Sequence, residues 1–334
     1  MTVIAPRVKH ERAFTGTMRA AVVVAPGVME TREVVVPQPG ANEVRVRLEG
    51  CGVCASNIPP WEGREWFRYP MCPGQLGHEG WGRVDAIGRD VLHFSVGDHV
   101  AILSEKAYAE YDVAHEDKAV HLPDALGDQP FPAEPLGCAM NIFNRAGIKA
   151  GQTVAIVGIG FLGALLTRLA QDANARVIAI SRRPFSLNVA ANMGAHHAIP
   201  MDDHWRIIEQ VRQLTGGQFC DVVIEAVGKE WPLNLSAELT RERGRLVVAG
   251  FHQDGLRSVN MLLWNWRGID VINAHERDPK VYLAGMRAAV DAVASGRIDP
   301  ASLYTHAYPL DRLGDALNAT KDRPDGFLKA LVMM

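Results

Sequence analysis

The chain holds 334 residues with a formal net charge of -3, 48% of them hydrophobic and 22% charged. That length is more than one ordinary core needs, so two domains are expected, and the near-neutral charge offers no basic face for nucleic acid. No apolar run is long enough to span a membrane unbroken, since glycines interrupt the longest, "TVAIVGIGFLGALL".

The opening "MTVIAPRVKHERAFTGT" has basic residues but neither an apolar h-region nor a cleavage signature. It reads as a loosely docked leader on a cytoplasmic chain. From Met18 to about Asp124, short β-rich runs ("MRAAVVV", "EVRVRLEG", "GWGRVDAIG", "DHVAIL") are separated by Pro and Gly turns, the pattern of an all-β unit. Around Pro135 the pattern changes. From "AGQTVAIVGIG" onward short apolar strands alternate with helical stretches, as in a parallel sheet covered by helices. After about Ala289 the elements are short and mixed, ending in a strand at "FLKALVMM", and this tail reads as a return to the first domain.

Within the α/β part, "TVAIVGIGFLGALLTRLAQDANARVIAI" is a strand, then Gly158, Gly160 and Gly163 spaced as GxGxxG, then a helix and a second strand. The first glycine permits a tight turn, the second lets backbone approach a pyrophosphate, and the third lets helix and strand pack closely. With Phe161 and Leu162, these residues open a helix whose free N–H groups face the phosphates. Leu162, Leu165, Leu166 and Leu169 are spaced to share one helix face. At the end of the second strand an NAD site usually carries an acidic residue for the ribose hydroxyls. Here stand Ser181, Arg182 and Arg183. A hydroxyl and two guanidinium groups suit the 2'-phosphate of NADP, which makes NADP the expected coenzyme and NAD the alternative.

Cysteines fall at 51, 54, 72, 138 and 220, an odd and scattered set that argues against a disulfide framework. Cys51 and Cys54 form a CxxC pair without a thioredoxin-like context. Farther on, "LGHEGWGRV" brings His78 and Glu79, and "AEPLGCA" brings Glu134. A thiolate, an imidazole and a carboxylate are what a catalytic zinc takes, with a position left for water or substrate.

Together "GCGVCAS", "GHEGWGRVDAIG", "VGDHV", "EPLGCA" and "VGIGFLG", in this order, resemble the zinc-dependent medium-chain dehydrogenase/reductase family, above all its polyol and threonine dehydrogenase branch. The resemblance covers Met18 to Met334. It implies an α/β protein with a GroES-like β domain (1–139 and 289–334) and an inserted Rossmann domain with a doubly wound parallel sheet (140–288). It also implies that Cys54 and His78 bind one catalytic zinc, with Glu79 as a ligand or exchangeable neighbour and Glu134 as the third protein ligand. Cys51 then becomes a buried neighbour, and Cys138 is a rival to Glu134. Ser56 matches the hydroxyl residue that receives the alcohol's proton.

Three departures qualify the likeness. The stretch "AILSEKAYAEYDVAHEDKAV" lacks the four cysteines that hold a structural zinc in many relatives, so none is expected. Pro59 stands where a relay histidine is common. Ser181 replaces the usual acidic residue.

The implied activity is reversible hydride transfer between a nicotinamide and an alcohol or ketone, with a polyol, sugar or other secondary alcohol as substrate. Trp61, Glu62, Arg64, Trp66 and Phe67 in "PPWEGREWFRYP" suit sugar stacking, an aromatic pocket or plain surface cover. His252 and Gln253 follow a strand and are candidates to face the nicotinamide or substrate. The "WNWRGIDVINAHE" segment lies where relatives pair subunits, which makes a homodimer or homotetramer the expectation. Two other readings share the fold. A zinc-free NADPH-dependent quinone or enoyl reductase would need no Cys/His/Glu set, and a non-catalytic NADP(H)-binding protein is kept open by Pro59.

Overall fold

The computed structural model describes residues 16–334, so the expected leader lies almost wholly outside the described residues. The chain divides into two compact units. One takes in the residues through Glu134 with Ala307–Lys321 and Leu331–Met334, and the other Pro135–His306 with Asp322–Ala330.

The first unit opens with an antiparallel hairpin of β1 (Thr17–Ala25) and β2 (Val28–Val35). Next come β3 (Glu43–Gly52), the short α1 (Ile58–Glu62), β4 (Gly80–Ile87), β5 (His99–Ile102), β6 (Tyr111–His115) and β7 (Ala119–His121). Strand β3 organises this unit, pairing antiparallel with both β4 and β6. Its Val44, Val46 and Leu48 alternate inward, as one buried face of a strand requires. Arg45 is buried against the usual preference because its guanidinium forks onto both carboxylate oxygens of Asp85, at 2.9 and 3.0 Å. Helix α2 (Ala133–Ala146) then leads out of the unit.

The second unit alternates strand and helix: β8 (Thr153–Val157), α3 (Phe161–Asp172), β9 (Arg176–Ser181), α4 (Pro184–Asn192), β10 (His197–Pro200), α5 (His204–Leu214), β11 (Cys220–Glu225), α6 (Glu230–Leu239), β12 (Thr240–Val248), α7 (Met261–Arg267), β13 (Asp270–Asn273) and α8 (Pro279–Ala294). The six strands are parallel, in the order β10-β9-β8-β11-β12-β13. That is the doubly wound order, with its switch point between β8 and β11. Ala155, Val157, Ile178, Ile180, Val223 and Leu246 are sealed between the sheet and its helices. A parallel sheet covered on both faces reads as such continuous apolar strands.

The chain leaves the second unit later than the sequence pattern suggests, at His306 rather than about Ala289. The cause is the packing of α8 on α2. A side chain on Gly285 would meet the Gly137 carbonyl at 2.6 Å, and Asn141 donates to the Val281 carbonyl at 3.1 Å, so all of α8 stays with the parallel sheet. Strand β14 (Tyr304–Pro309), helix α9 (Leu313–Asp322) and strand β15 (Lys329–Met333) complete the chain, and β15 pairs antiparallel with the end of β3.

Candidate active site

Cys54 follows β3 by two residues, and His78 and Glu79 immediately precede β4. Those two strands are neighbours, with Cys51 opposite Gly80 and the Gly52 amide donating to the Glu79 carbonyl at 3.2 Å. Strand pairing therefore brings together three residues that a long excursion of chain separates. One donor atom from each of Cys54, His78 and Glu79 lies within 4.8 Å of the others. Glu134, buried in the first turn of α2, stands outside that close set but near enough for its charge to act on His78. Cys138, one turn farther along α2, is half-buried, and Cys51 is wholly buried.

Burial alone would lower the pKa of His78. The hydrogen bond to Cys54 and the charges of Cys54, Glu134 and Glu79 outweigh it and push the imidazole up to about 10. This is the electrostatic signature of a cation-seeking pocket: a cysteine and two acidic side chains converge on one imidazole. The set of sulfur, nitrogen and carboxylate oxygen is chemically suited to zinc.

The orientation of His78 is fixed from behind. Its Nδ1 donates to the Leu76 carbonyl at 2.9 Å, which leaves Nε2 as the nitrogen that could hold a metal. Asn57 donates to the same carbonyl at 3.1 Å, and the Tyr108 hydroxyl donates to Asn57 Oδ1 at 2.8 Å. Burial, and after it the charges of Cys51, Glu79 and Cys54, raise Tyr108 well above the usual phenol value, so it remains a donor. Leu76 holds a left-handed φ of 82°, a sparsely populated conformation that points its carbonyl at these donors. Neither Asn57 nor Tyr108 stood out in the sequence, since an Asn beside a helix start and a Tyr between strands have no distinguishing spacing.

Ser56 sits half-buried in a 3₁₀ turn two residues past Cys54. Pro59 is buried in the first turn of α1 and has no side-chain group that exchanges protons. Trp61 belongs to the core, 4% exposed, with Nε1 donating to Asn318 at 2.9 Å, and so offers no ring for ligand stacking. Trp66 is exposed beside Phe67, and Glu62 pairs with Arg64 and Lys321.

In the second unit, Gly158 adopts φ 102° and donates to the Ile180 carbonyl at 2.8 Å, which ties the glycine turn to the end of β9. A side chain at 163 would meet the Gly158 carbonyl at 2.1 Å, whereas one at 160 would meet nothing within 4 Å. The third glycine thus serves packing, and the second borders open space. Phe161, Leu165, Leu166 and Leu169 are buried, but Leu162 in the first helical turn is only half-buried. The four leucines therefore do not share one burial level.

Ser181 closes β9 in a buried position, Arg182 is exposed, and Arg183 is half-buried with Nη1 donating to the Phe327 carbonyl at 2.6 Å. Gln253 is half-exposed. His252 is held from both sides: Arg257 Nε donates to its Nδ1 at 3.0 Å, so Nε2 carries the proton and donates to Glu225 at 3.0 Å. Glu225, fully buried at the end of β11, also accepts from the Val227 and Gly228 amides at 2.7 Å. It joins the loops after β11 and β12. An acidic residue ending the apolar run "DVVIE" was the available sequence signal for it.

Among the described residues no helix is long and apolar enough to cross a membrane. Residues 40–124 match the alcohol dehydrogenase GroES-like domain, and residues 162–291 match the zinc-binding dehydrogenase family. A sorbitol dehydrogenase of Halalkalibacterium halodurans is 26% identical over 320 residues, covering 85% of this chain and 90% of the relative. A quinone oxidoreductase of Pseudomonas aeruginosa is 31% identical over 250 residues, covering 73% and 75%. The crystal structure of a zinc-binding dehydrogenase from Sinorhizobium meliloti, bound to NADP, superposes with a TM-score of 0.83 at 26% identity, covering 96% of this chain and all of that one. With the doubly wound sheet, the glycine turn and the close Cys54/His78/Glu79 set, these likenesses place the chain in the zinc-dependent medium-chain dehydrogenase/reductase family.

Proposed function

We propose that this NAD(P)-dependent alcohol oxidoreductase is a zinc enzyme acting on a polyol, sugar or other secondary alcohol, with NADP as its coenzyme. The observation that carries the reading is the convergence of Cys54, His78 and Glu79 within 4.8 Å, two residues from the Ser56 hydroxyl. Cys54 and His78 would hold one zinc, with Glu79 and Glu134 as the carboxylates available to it. When bound, zinc supplies a Lewis acid that lowers the pKa of an alcohol hydroxyl, and the nicotinamide supplies the hydride acceptor.

The chain's own part is positional and protonic. Leu76, Asn57 and Tyr108 keep the His78 ring in one orientation, and Ser56 Oγ would take the hydroxyl proton. Pro59 has no group to pass a proton onward, so Ser56 would hand it to water, another base or the coenzyme ribose. The glycine turn at 158–163 would bind the pyrophosphate, and Ser181 with the adjoining arginines would bind the 2'-phosphate. Sorbitol dehydrogenases among the relatives, and the NADP held by the Sinorhizobium meliloti protein, support the substrate class and the coenzyme.

A homodimer or homotetramer fits the second unit. Edge strand β13 exposes Val271, and helix α7 exposes Met261, Leu262 and Trp266, apolar side chains that a partner subunit would cover.

Coenzyme-linked oxidation of a panel of polyols and secondary alcohols, run with NADP and NAD beside quinone reduction with NADPH, tests the reading. Alcohol turnover that is abolished in Cys54→Ser supports it. Quinone reduction that survives Cys54→Ser, with no alcohol turnover, would replace it with the zinc-free reductase.

A further inference from the structure

The NADP reading rests on Ser181, Arg182 and Arg183, but the structure gives these arginines different tasks. Arg183 is already engaged, with Nη1 donating to the Phe327 carbonyl at 2.6 Å. Phe327 and Leu328 are buried, the Phe327 amide closes a turn onto the Pro324 carbonyl at 3.0 Å, and the Leu328 amide donates to Thr305 Oγ1 at 2.9 Å. Lys329 lies over the Phe161 ring, 5.3 Å from its centroid. The segment from Asp322 to Ala330 is thus fastened at several points beside the glycine turn and the end of β9, within the same unit.

Arg323 enters that segment with a left-handed φ of 49°. Desolvation of its guanidinium comes first, and the like charge of Arg182 second, in lowering its pKa, although the residue as a whole is exposed. Arg183 feels desolvation, then the charge of Arg323, with Asp325 in partial compensation and Arg182 beyond it. The Arg183 hydrogen bond to Phe327 thus sets the segment that carries Arg323 beside the end of β9, where Arg182 and Arg323 are exposed and form no ion pair among the described residues.

We infer that Arg323 is a specificity-determining residue for NADP: with Arg182 it grips the 2'-phosphate at the strand end, and Arg183 is the strut that fixes the Arg323 segment to that end. Arginine suits this task because its fork meets two phosphate oxygens at once. Sequence reasoning missed Arg323 because it lies 140 positions after Arg183.

The test is titration of the full-length protein with NADPH and with NADH, following nicotinamide fluorescence, for the wild type, Arg182→Ala, Arg323→Ala and Arg323→Lys. The wild type should bind NADPH more tightly than NADH. Each alanine variant should bind NADPH about 10- to 100-fold more weakly with NADH affinity held within about twofold, since the lost contact is charge-assisted and made only to the phosphate. Unchanged NADH affinity also reports an intact fold, and Arg323→Lys should recover part of the loss. If the wild type prefers NADPH and Arg323→Ala weakens both coenzymes equally or neither, Arg323 lies outside the subsite while the NADP reading stands. A wild type that binds NADH as tightly as NADPH overturns the NADP reading and this inference with it.

Discussion

His78 donates through Nδ1 to the carbonyl of Leu76 over 2.9 Å, and that single contact decides which ring nitrogen remains for a metal. The carbonyl is aimed by a left-handed residue and shared with Asn57, which Tyr108 holds in turn. Tyr108→Phe removes the hydroxyl and leaves Asn57 Oδ1 buried without that donor, at a cost of about 1–3 kcal/mol in stability. Asn57→Ala should weaken zinc binding about 10- to 100-fold, the range typical for lost outer-shell support. Chelator competition on the folded variants reads this effect independently of turnover.

Zinc uptake should expel at least one proton. His78 keeps its proton up to about pH 10 in the metal-free chain, and a ligating imidazole must be neutral. Apparent zinc affinity should therefore rise with pH across the neutral range, by up to about tenfold per unit for each proton displaced. In the metal-free chain the sign is the reverse. A raised folded pKa stabilises fully below the unfolded value near 6.5, and the contribution is lost as pH rises through about 10. Calorimetric zinc titrations in buffers of differing ionisation enthalpy would count the protons. A heat independent of buffer would contradict the assignment of His78.

Gly160 and Gly163 should fail in different ways when changed to alanine. At 163 the new methyl strikes the Gly158 carbonyl at 2.1 Å, a backbone atom with no room to yield, so thermal stability should fall by several °C or more. At 160 the methyl enters open space, so the melting temperature should stay within a few degrees while dinucleotide affinity drops about tenfold or more. Melting curves with and without coenzyme separate the two.

Trp266 is 83% exposed on α7, next to the edge strand. Trp266→Glu should convert a dimer into monomers without unfolding them, because a charge is easily hydrated on a free surface but costly in an apolar interface. Light scattering coupled to size exclusion measures the outcome. A wild-type monomer would remove the proposed pairing.

Much of the second unit was legible because its signals are local. A glycine pattern between an apolar strand and an amphipathic helix specifies a turn in a few residues, and the strand and helix alternation specifies the parallel sheet. The metal residues were legible as types but not as a site. Nothing near Cys54 in the sequence says that β3 will pair with β4 and carry it to His78. The residues that went unread act across the chain: Asn57 and Tyr108 meet over 51 positions, and Glu225 meets His252 over 27. Trp61 shows the opposite case, a ring that suited sugar stacking, an aromatic pocket or surface cover alike and whose burial against Asn318 makes it core. Arg182 and Arg183 are alike in sequence, and only the fold engages one of them with Phe327.

The central claim is that the Cys54, His78 and Glu79 set is a zinc site, and metal content measured by elemental analysis tests it most directly. Wild-type protein prepared without chelators should carry about one zinc per chain, and Cys54→Ser should lose it while keeping its fold. Wild-type protein free of zinc, or zinc retained in full by folded Cys54→Ser, would contradict the account.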